Sequence, residues 1–228
     1  MFWTEDAGGK KKYGTPGDVV DVAFKLDCKL LPVDHAQSLS DAIHSALPWF
    51  AEEAFAGLHL IHVAESGNGW MRPDDPENEV LCLSQRTRMT LRVPDSRIDD
   101  VCQLSGKVLD IDGHALTVKE GTSKKLSVLP TMFARYILGK QQMDEDAFLQ
   151  QMVDVLQTMD IPVTKIMAGR QRKMRMRDGD VYLRSLMVAE MIPENAFKLQ
   201  MHGIGGGRKF GCGLFLPQKG IAAVNADD

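Results

Sequence analysis

A chain of 228 residues with 44% hydrophobic and 25% charged side chains has ordinary globular proportions, which excludes the disordered and fibrous classes. That length suits one large or two small compact modules, two being the commoner solution, and no apolar run approaches the roughly 18 residues needed to span a bilayer. The net charge of −4 argues at first sight against a polyanionic partner, but local potential, not average charge, decides such binding.

The opening MFWTEDAGGKKKYG lacks the apolar core of a secretion signal. Residues 18–31 are rich in Val, Phe and Leu and predict a strand. After Pro32, the apolar residues Leu39, Ala42, Ile43, Ala46 and Leu47 recur at helical spacing and predict one buried stripe. Either Asp34 with Gln37 or Ser38 with Asp41 fits a capping box at its start. Residues 58–64 and 87–93 (TRMTLRV) read as strands, 96–104 as a short helix, and 108–118 as a strand or hairpin turning at Asp112–Gly113. The order is β-α-β-β-α-β.

The second half repeats it. Residues 129–138 are strand-like, and 144–159 predict a helix with Phe148, Leu149, Met152, Val155, Leu156 and Met159 on one face. Residues 165–177 and 182–191 flank a hairpin signal at Asp178–Gly179, and 194–201 follow Pro193 as a short helix. A glycine-rich loop and a final strand over 210–216 complete the chain. The expected fold is therefore α+β, two tandem ferredoxin-like units, also described as RRM-like. The first spans 17–126 and the second 127–220, with an extension at 1–16 and a tail at 221–228. The glycine-, proline- and acid-rich segment 67–79 reads as a surface loop.

Charge is distributed unevenly. Acids cluster at 74–79, 95–100, 144–154 and the tail, whereas KIMAGRQRKMRMR (165–177) holds Lys165, Arg170, Arg172, Lys173, Arg175 and Arg177 with no acid. Alternation puts Arg175 and Arg177 on one strand face, which is either a solvated edge or a binding surface for an RNA hairpin. Lys124, Lys125, Arg86 and Arg88 form a weaker second group. The most specific signal is the loop Gly203-Ile-Gly205-Gly206-Gly207-Arg208-Lys209-Phe210-Gly211-Cys212-Gly213. Such a backbone can reach positive φ and approach a ligand closely, its N–H groups can cradle an anion, and Arg208 and Lys209 add charge. The bland alternative is a helix-to-strand connection that needs glycine for geometry only. Nucleotide motifs do not fit, because no G-K-[ST] is present and Arg208 stands where G-x-G-x-x-G requires glycine.

Gly203, Gly205, Gly211 and Gly213 fit G-x-G-x-x-x-x-x-G-x-G, which resembles the C-terminal motif of the CRISPR repeat-processing endoribonucleases, within the repeat-associated superfamily of tandem ferredoxin-like proteins. The segments VVDVAFKL, LPVDHAQSL, RTRMTLRVP, LPTMFARYIL and GRKFGCGLFLPQK look like the subfamily found with a myxobacterial-type class 1 system. The resemblance implies cleavage of CRISPR repeat RNA at or within a hairpin, without metal or other cofactor. Attack by a ribose 2′-OH on the adjacent phosphate would leave a 5′-OH and a cyclic-phosphate-type 3′ end. It also implies retention of the guide RNA and association with other subunits of a class 1 surveillance complex.

That reaction needs a base for the 2′-OH, positive charge for the phosphorane, and in-line positioning. A histidine suits the first, since its ordinary pKa of about 6.5 leaves much of it neutral near pH 7. His35, at the start of the first helix, sits where the helix field attracts phosphate and disfavours imidazolium, and it resembles the family's early catalytic histidine. It is the first choice as general base. His44, on the polar flank of the same helix, is the alternative. His59 and His62 lie three apart on a strand, so one should point inward and pack; His114 belongs to a turn; His202 abuts the glycine loop. Tyr136 and Tyr182 fall in strand patterns and read as core or stacking residues, and the thirteen methionines read as core filler. Cys28, Cys82, Cys102 and Cys212 form no C-x-x-C pair, so neither zinc nor another metal site is expected, and a reduced cytoplasmic setting is. Two other functions compete with the nuclease: a non-catalytic RNA-hairpin-binding subunit of the same fold, and a small nucleotide- or metabolite-binding regulator.

Overall fold

The structure, a computed structural model, describes residues 19–63 and 80–219. The expected extension, tail and 67–79 loop lie outside the described residues.

The first unit opens with β1 (Val19–Asp27), the short β2 (Leu30–Pro32), and α1 (Ala36–Ala46). A one-turn helix α2 (Trp49–Glu52) leads into β3 (Gly57–His59). Next come β4 (Val80–Cys82), β5 (Arg88–Pro94), a 3-10 turn (Asp95–Arg97) running into α3 (Ile98–Cys102), and the hairpin of β6 (Val108–Ile111) and β7 (His114–Lys125). Antiparallel pairing gives the order β3-β5-β1-β7-β6. Without the edge strand β6, this is the sheet of one β-α-β-β-α-β unit. β2 and β4 pair separately, an element absent from the sequence reading.

The expected helical stripe is real. Leu39 and Ile43 on α1 and Leu47 at its end are at most 1% exposed, and they pack with Val22, Phe24, Phe50, Met89 and Leu91 in one core. Burial of each such side chain contributes about 1.5–3 kcal/mol. Neither capping box forms. His35 takes the N-cap position with no side-chain cap bond, because Asp34 Oδ2 accepts instead from the Arg175 N–H (3.3 Å) and Gln37 binds Asp41 (2.9 Å).

The second unit comprises β8 (Met132–Gly139), α4 (Glu145–Thr158), β9 (Lys165–Ala168), β10 (Arg172–Met176), β11 (Gly179–Ala189), α5 (Pro193–His202) and β12 (Phe215–Pro217). Its sheet runs β10-β11-β8-β12, with β9 also on β11, so the two short strands together fill one position of the second ferredoxin-like unit. The single strand expected over 165–177 is thus two strands separated by residues 169–171. Asp144 caps α4, accepting from the Ala147 N–H at 2.7 Å, and Phe148, Met152 and Leu156 bury its apolar face. The strand expected over 210–216 is also corrected. Residues Arg208–Phe210 form a 3-10 turn and only Phe215–Pro217 is extended, since Gly207, Gly211 and Gly213 have φ of 78°, 83° and 71°, outside any strand ladder.

A third apolar cluster joins the units. Tyr136, Met174 and Leu183, on the second sheet, meet Ala36 of α1 and Cys212 of the glycine loop, with Leu60 and Leu138 alongside. Within this seam, Arg92 on β5 is fully buried. It holds Asp21 with Nε and Nη2 (2.8 and 2.9 Å) and donates Nη1 to the carbonyls of Gln200 and Phe215 (2.9 and 3.0 Å).

Candidate nucleic-acid interface and active site

The glycine loop leaves α5 and returns to β12 through a narrow neck. A Cβ on Gly203 would stand 2.2 Å from the Gly213 carbonyl oxygen, and one on Gly213 would stand 2.4 Å from that of Ile204. With φ of 67° and 71°, both positions need glycine for conformation and for space. Gly207 and Gly211 pack in a similar way, against Cys212 and against Leu60 of the first unit. The geometric reading therefore accounts for these four. Gly205 shares the positive φ (73°) but not the crowding, since a Cβ there would meet nothing within 4 Å, and it is exposed together with Gly206. Among the described residues, no acceptor faces the N–H groups of Gly205, Gly206 and Gly207, while the N–H groups of Gly211, Cys212 and Gly213 all bond to backbone carbonyls. Consecutive free amides at an exposed tip form a small anion-binding concavity.

The basic pair beside this tip has another use. Arg208 donates Nη1 to the His202 carbonyl (2.7 Å) and Nη2 to that of Phe55 (2.9 Å). Lys209 Nζ donates to the carbonyls of Glu53 and Ala56 and lies 4.7 Å from the Phe50 ring centroid. Direct phosphate contact, expected from sequence for both, is thus replaced by stapling of the loop to the first unit. Their charge still reaches the site. Burial and neighbouring cations lower the Arg208 pKa to about 10 and that of Lys209 to about 8.

The two early histidines part company here. His35 is 3% exposed; its Nδ1 lies 2.8 Å from the Pro32 carbonyl oxygen and so carries the proton, and its Nε2 accepts from the Ile61 N–H at 3.1 Å. With both ring nitrogens committed to backbone and the ring sealed, no lone pair is available to a ribose hydroxyl. Its geometry is that of a strut between α1 and the segment after β3. His44, one face round the helix, is half-buried against Phe50, with ring centroids 5.8 Å apart. Phe50 is the ring that Lys209 also covers, so His44 and the loop share one wall. Burial first, then the Lys209 charge, push the His44 pKa below its ordinary value, while Asp41 opposes them. Its Nε2 is buried without a hydrogen-bond partner, which further favours the neutral ring.

Of the other histidines, His59 and His114 are part-buried, whereas His62 and His202 are exposed. His59 Nε2 stands 3.6 Å from Asp21. Burial works against ionisation of Asp21, yet His59 and Arg92 beside it hold its carboxyl well below the usual range. His62 lies beyond β3, its ring 5.8 Å from that of the buried Tyr136. His114 bonds the Asp112 carbonyl in its turn, and His202 packs edge-on to Phe55. Among the described residues no group of three His, Cys, Asp or Glu side chains could hold a metal ion, and no helix is long and apolar enough to cross a membrane.

The basic strand stays in solvent. Arg170, Arg172, Lys173, Arg175 and Arg177 are all exposed. On β10, Met174 and Met176 point to the seam while Lys173 and Arg175, followed by Arg177, take the opposite face, as alternation predicts. Arg177 pairs with Asp41 of α1, and Lys173 with Asp180 at 3.4 Å over the Tyr182 ring. This strand thus borders the start of α1, whereas His44 lies in the last turn of that helix, beside Phe50 and the Lys209 end of the loop. Sequence reasoning missed the Asp21–Arg92–His59 cluster. Alternation within RMTLRV does place Arg92 opposite Met89, Leu91 and Val93, but nothing local reports that a second unit will cover that face.

Residues 20–220 match the family model of Cas6, a CRISPR protein. The chain is 29% identical over 207 residues to the CRISPR-associated endonuclease Cas6 of Myxococcus xanthus (strain DK1622), covering 91% of this chain and 85% of that protein. Its fold is similar to a solved CRISPR-associated protein Cas6 (TM-score 0.57, 10% identity, 89% of this chain and 100% of the other). It is also similar to a RAMP protein described as binding different RNA substrates (TM-score 0.55, 13% identity, 86% and 98%). Family match, tandem ferredoxin-like architecture and glycine-rich loop agree: this chain belongs to the Cas6 family of CRISPR-associated proteins.

Proposed function

We propose that this protein is an endoribonuclease that cuts CRISPR precursor RNA within its repeats by attack of a ribose 2′-OH on the adjacent phosphate. The product ends are a 5′-OH and a cyclic-phosphate-type 3′ end. The observation that supports this most directly is the Phe50 wall that the half-buried imidazole of His44 shares with Lys209 of the glycine-rich loop. In this reading His44, not His35, takes the 2′-OH proton, on Nδ1, since its Nε2 is buried. The amides of Gly205, Gly206 and Gly207 bind phosphate oxygens, and the Lys209 charge stabilises the developing phosphorane without a change of contacts. The exposed cations of β10 and its flanks grip the hairpin backbone. No metal enters the scheme. The mature guide RNA stays on this surface, available to other subunits of a class 1 complex.

The test is incubation of purified protein with its cognate repeat RNA in EDTA. A single cut is expected in the wild type. His44→Ala should lower the cleavage rate about 10²- to 10⁴-fold with binding kept, whereas His35→Gln, which leaves His44 in place, should keep the cut in whatever fraction folds. Retention of binding with no cutting by the wild type would instead establish the hairpin-binding subunit. Tight mononucleotide binding with weak, salt-insensitive RNA affinity would point to the metabolite regulator.

A further inference from the structure

Beside the glycine tip lies a cavity of about 340 Å³ that the scheme above leaves unused. Its walls are apolar: Leu138, Met174, Met176, Val181, Phe210 and Cys212. Gln37, Asp178 and Asp180 stand on its rim, with the backbone of Gly179 and Gly207. Gln37 is committed elsewhere, since its amide donates to Asp41 and its oxygen accepts from the Arg177 N–H. Asp180 turns its carboxylate to Lys173 (3.4 Å), on the face of the sheet away from Met174 and Val181, whereas Asp178 forms no ion pair or hydrogen bond among the described residues and is the carboxylate left to the rim.

The geometry points to a nucleobase-reading pocket that takes one unpaired base bearing an exocyclic amine and rejects uracil. This rests on the RNA reading given above and deepens it. Three observations converge. Gly207, which supplies one of the free amides, is itself part of the wall, so a phosphate on the loop tip delivers its neighbouring base to the opening. Exposed Arg172 lies two residues before Met174 on the same face of β10, so the strand passing the pocket meets positive charge beyond that wall as well. The volume lies near the lower end of small-molecule sites, roughly 300–1,000 Å³, enough for a single base and its sugar. Thioether and aromatic walls suit a flat ring, since methionine adapts to π-surfaces and stacking needs no particular base identity. Identity comes from the rim. A carboxylate accepts from the N4 amine of cytosine or the N6 amine of adenine, but faces the O4 of uracil with like charge.

Cytosine and uracil isolate this contact because they match in size and stacking. Fluorescence anisotropy with labelled octamers of cytidine and of uridine, beside the repeat RNA, measures it across a salt series. Wild type should bind the cytidine octamer roughly tenfold more tightly than the uridine one. The variant D178N should bring that ratio near one while leaving the salt dependence, which reports the phosphate contacts, unchanged. V181W, which fills the cavity, should weaken both octamers and also flatten the ratio. Should V181W fail to fold, the rim variant on the surface still decides. Binding of the repeat RNA with equal affinity for the two octamers, or a preference that survives D178N, overturns the pocket alone. Loss of binding to the repeat RNA itself overturns the RNA reading beneath it.

Discussion

Two groups of cations in this protein use the same chemistry for opposite ends. At the seam between the units, Arg92, Arg208 and Lys209 each donate to backbone carbonyls of the neighbouring unit or loop. On and beside β10, Arg170 and Arg172 keep their heads in water, and Lys173 is held only by an exposed pair with Asp180. The seam cations are a structural device: each closes off carbonyls that a helix end or loop would otherwise leave unpaired. The strand cations, exposed to solvent, are those the proposed function assigns to phosphate. Charge content alone does not separate the two groups; donor geometry does.

The contrast can be broken most sharply at Arg92. Replacing it with Met removes the partner of a buried carboxylate and orphans two carbonyls, and should destabilise the fold by about 3–5 kcal/mol, read as a lower urea midpoint. Arg208→Ala should cost about 1–3 kcal/mol by the same measurement and loosen the glycine tip, so that cleavage falls along with stability. Arg170→Ala with Arg172→Ala should do the reverse. The urea midpoint should stay in place, while RNA affinity weakens and the salt slope drops by about one per lost phosphate contact. The smallest effect is on pH dependence. A neutral base works above its pKa, and the His44 pKa lies below the ordinary value, so the cleavage rate should fall only once the pH drops through that lowered value. Lys209→Met removes one cause of the lowering and should move the acid limb upward, towards the ordinary histidine range; a pH–rate profile of both proteins checks this. An unmoved limb would separate Lys209 from the base.

Much of this arrangement was legible in the sequence. Helix periodicity in α1 and α4, alternation in β5 and β10, and turn residues at Asp112–Gly113 were local signals that survive in the fold. What failed was long-range. His35 carries a plausible catalytic position in sequence, but its Ile61 partner lies 26 residues away and only folding brings the two together. Arg208 and Lys209 sit in a glycine run that looks built for phosphate, and their carbonyl partners at 53–56 come from the other unit. His44 is subject to the same limit. The Phe50 wall it shares with Lys209 joins residues from opposite ends of the chain.

The mutual approach of Gly203 and Gly213 has one further consequence. Because the Gly213 carbonyl fills the space a side chain on Gly203 would need, and the Ile204 backbone the space one on Gly213 would need, the two limbs of the loop are cinched together whether or not anything is bound. The amides at the tip therefore face outward in advance, and their loss of freedom is settled during folding, not at the moment of capture. An alanine at either limb would force the collar open. Its signature would be a slower, more heat-releasing association, as ordering of the tip moved from folding to encounter.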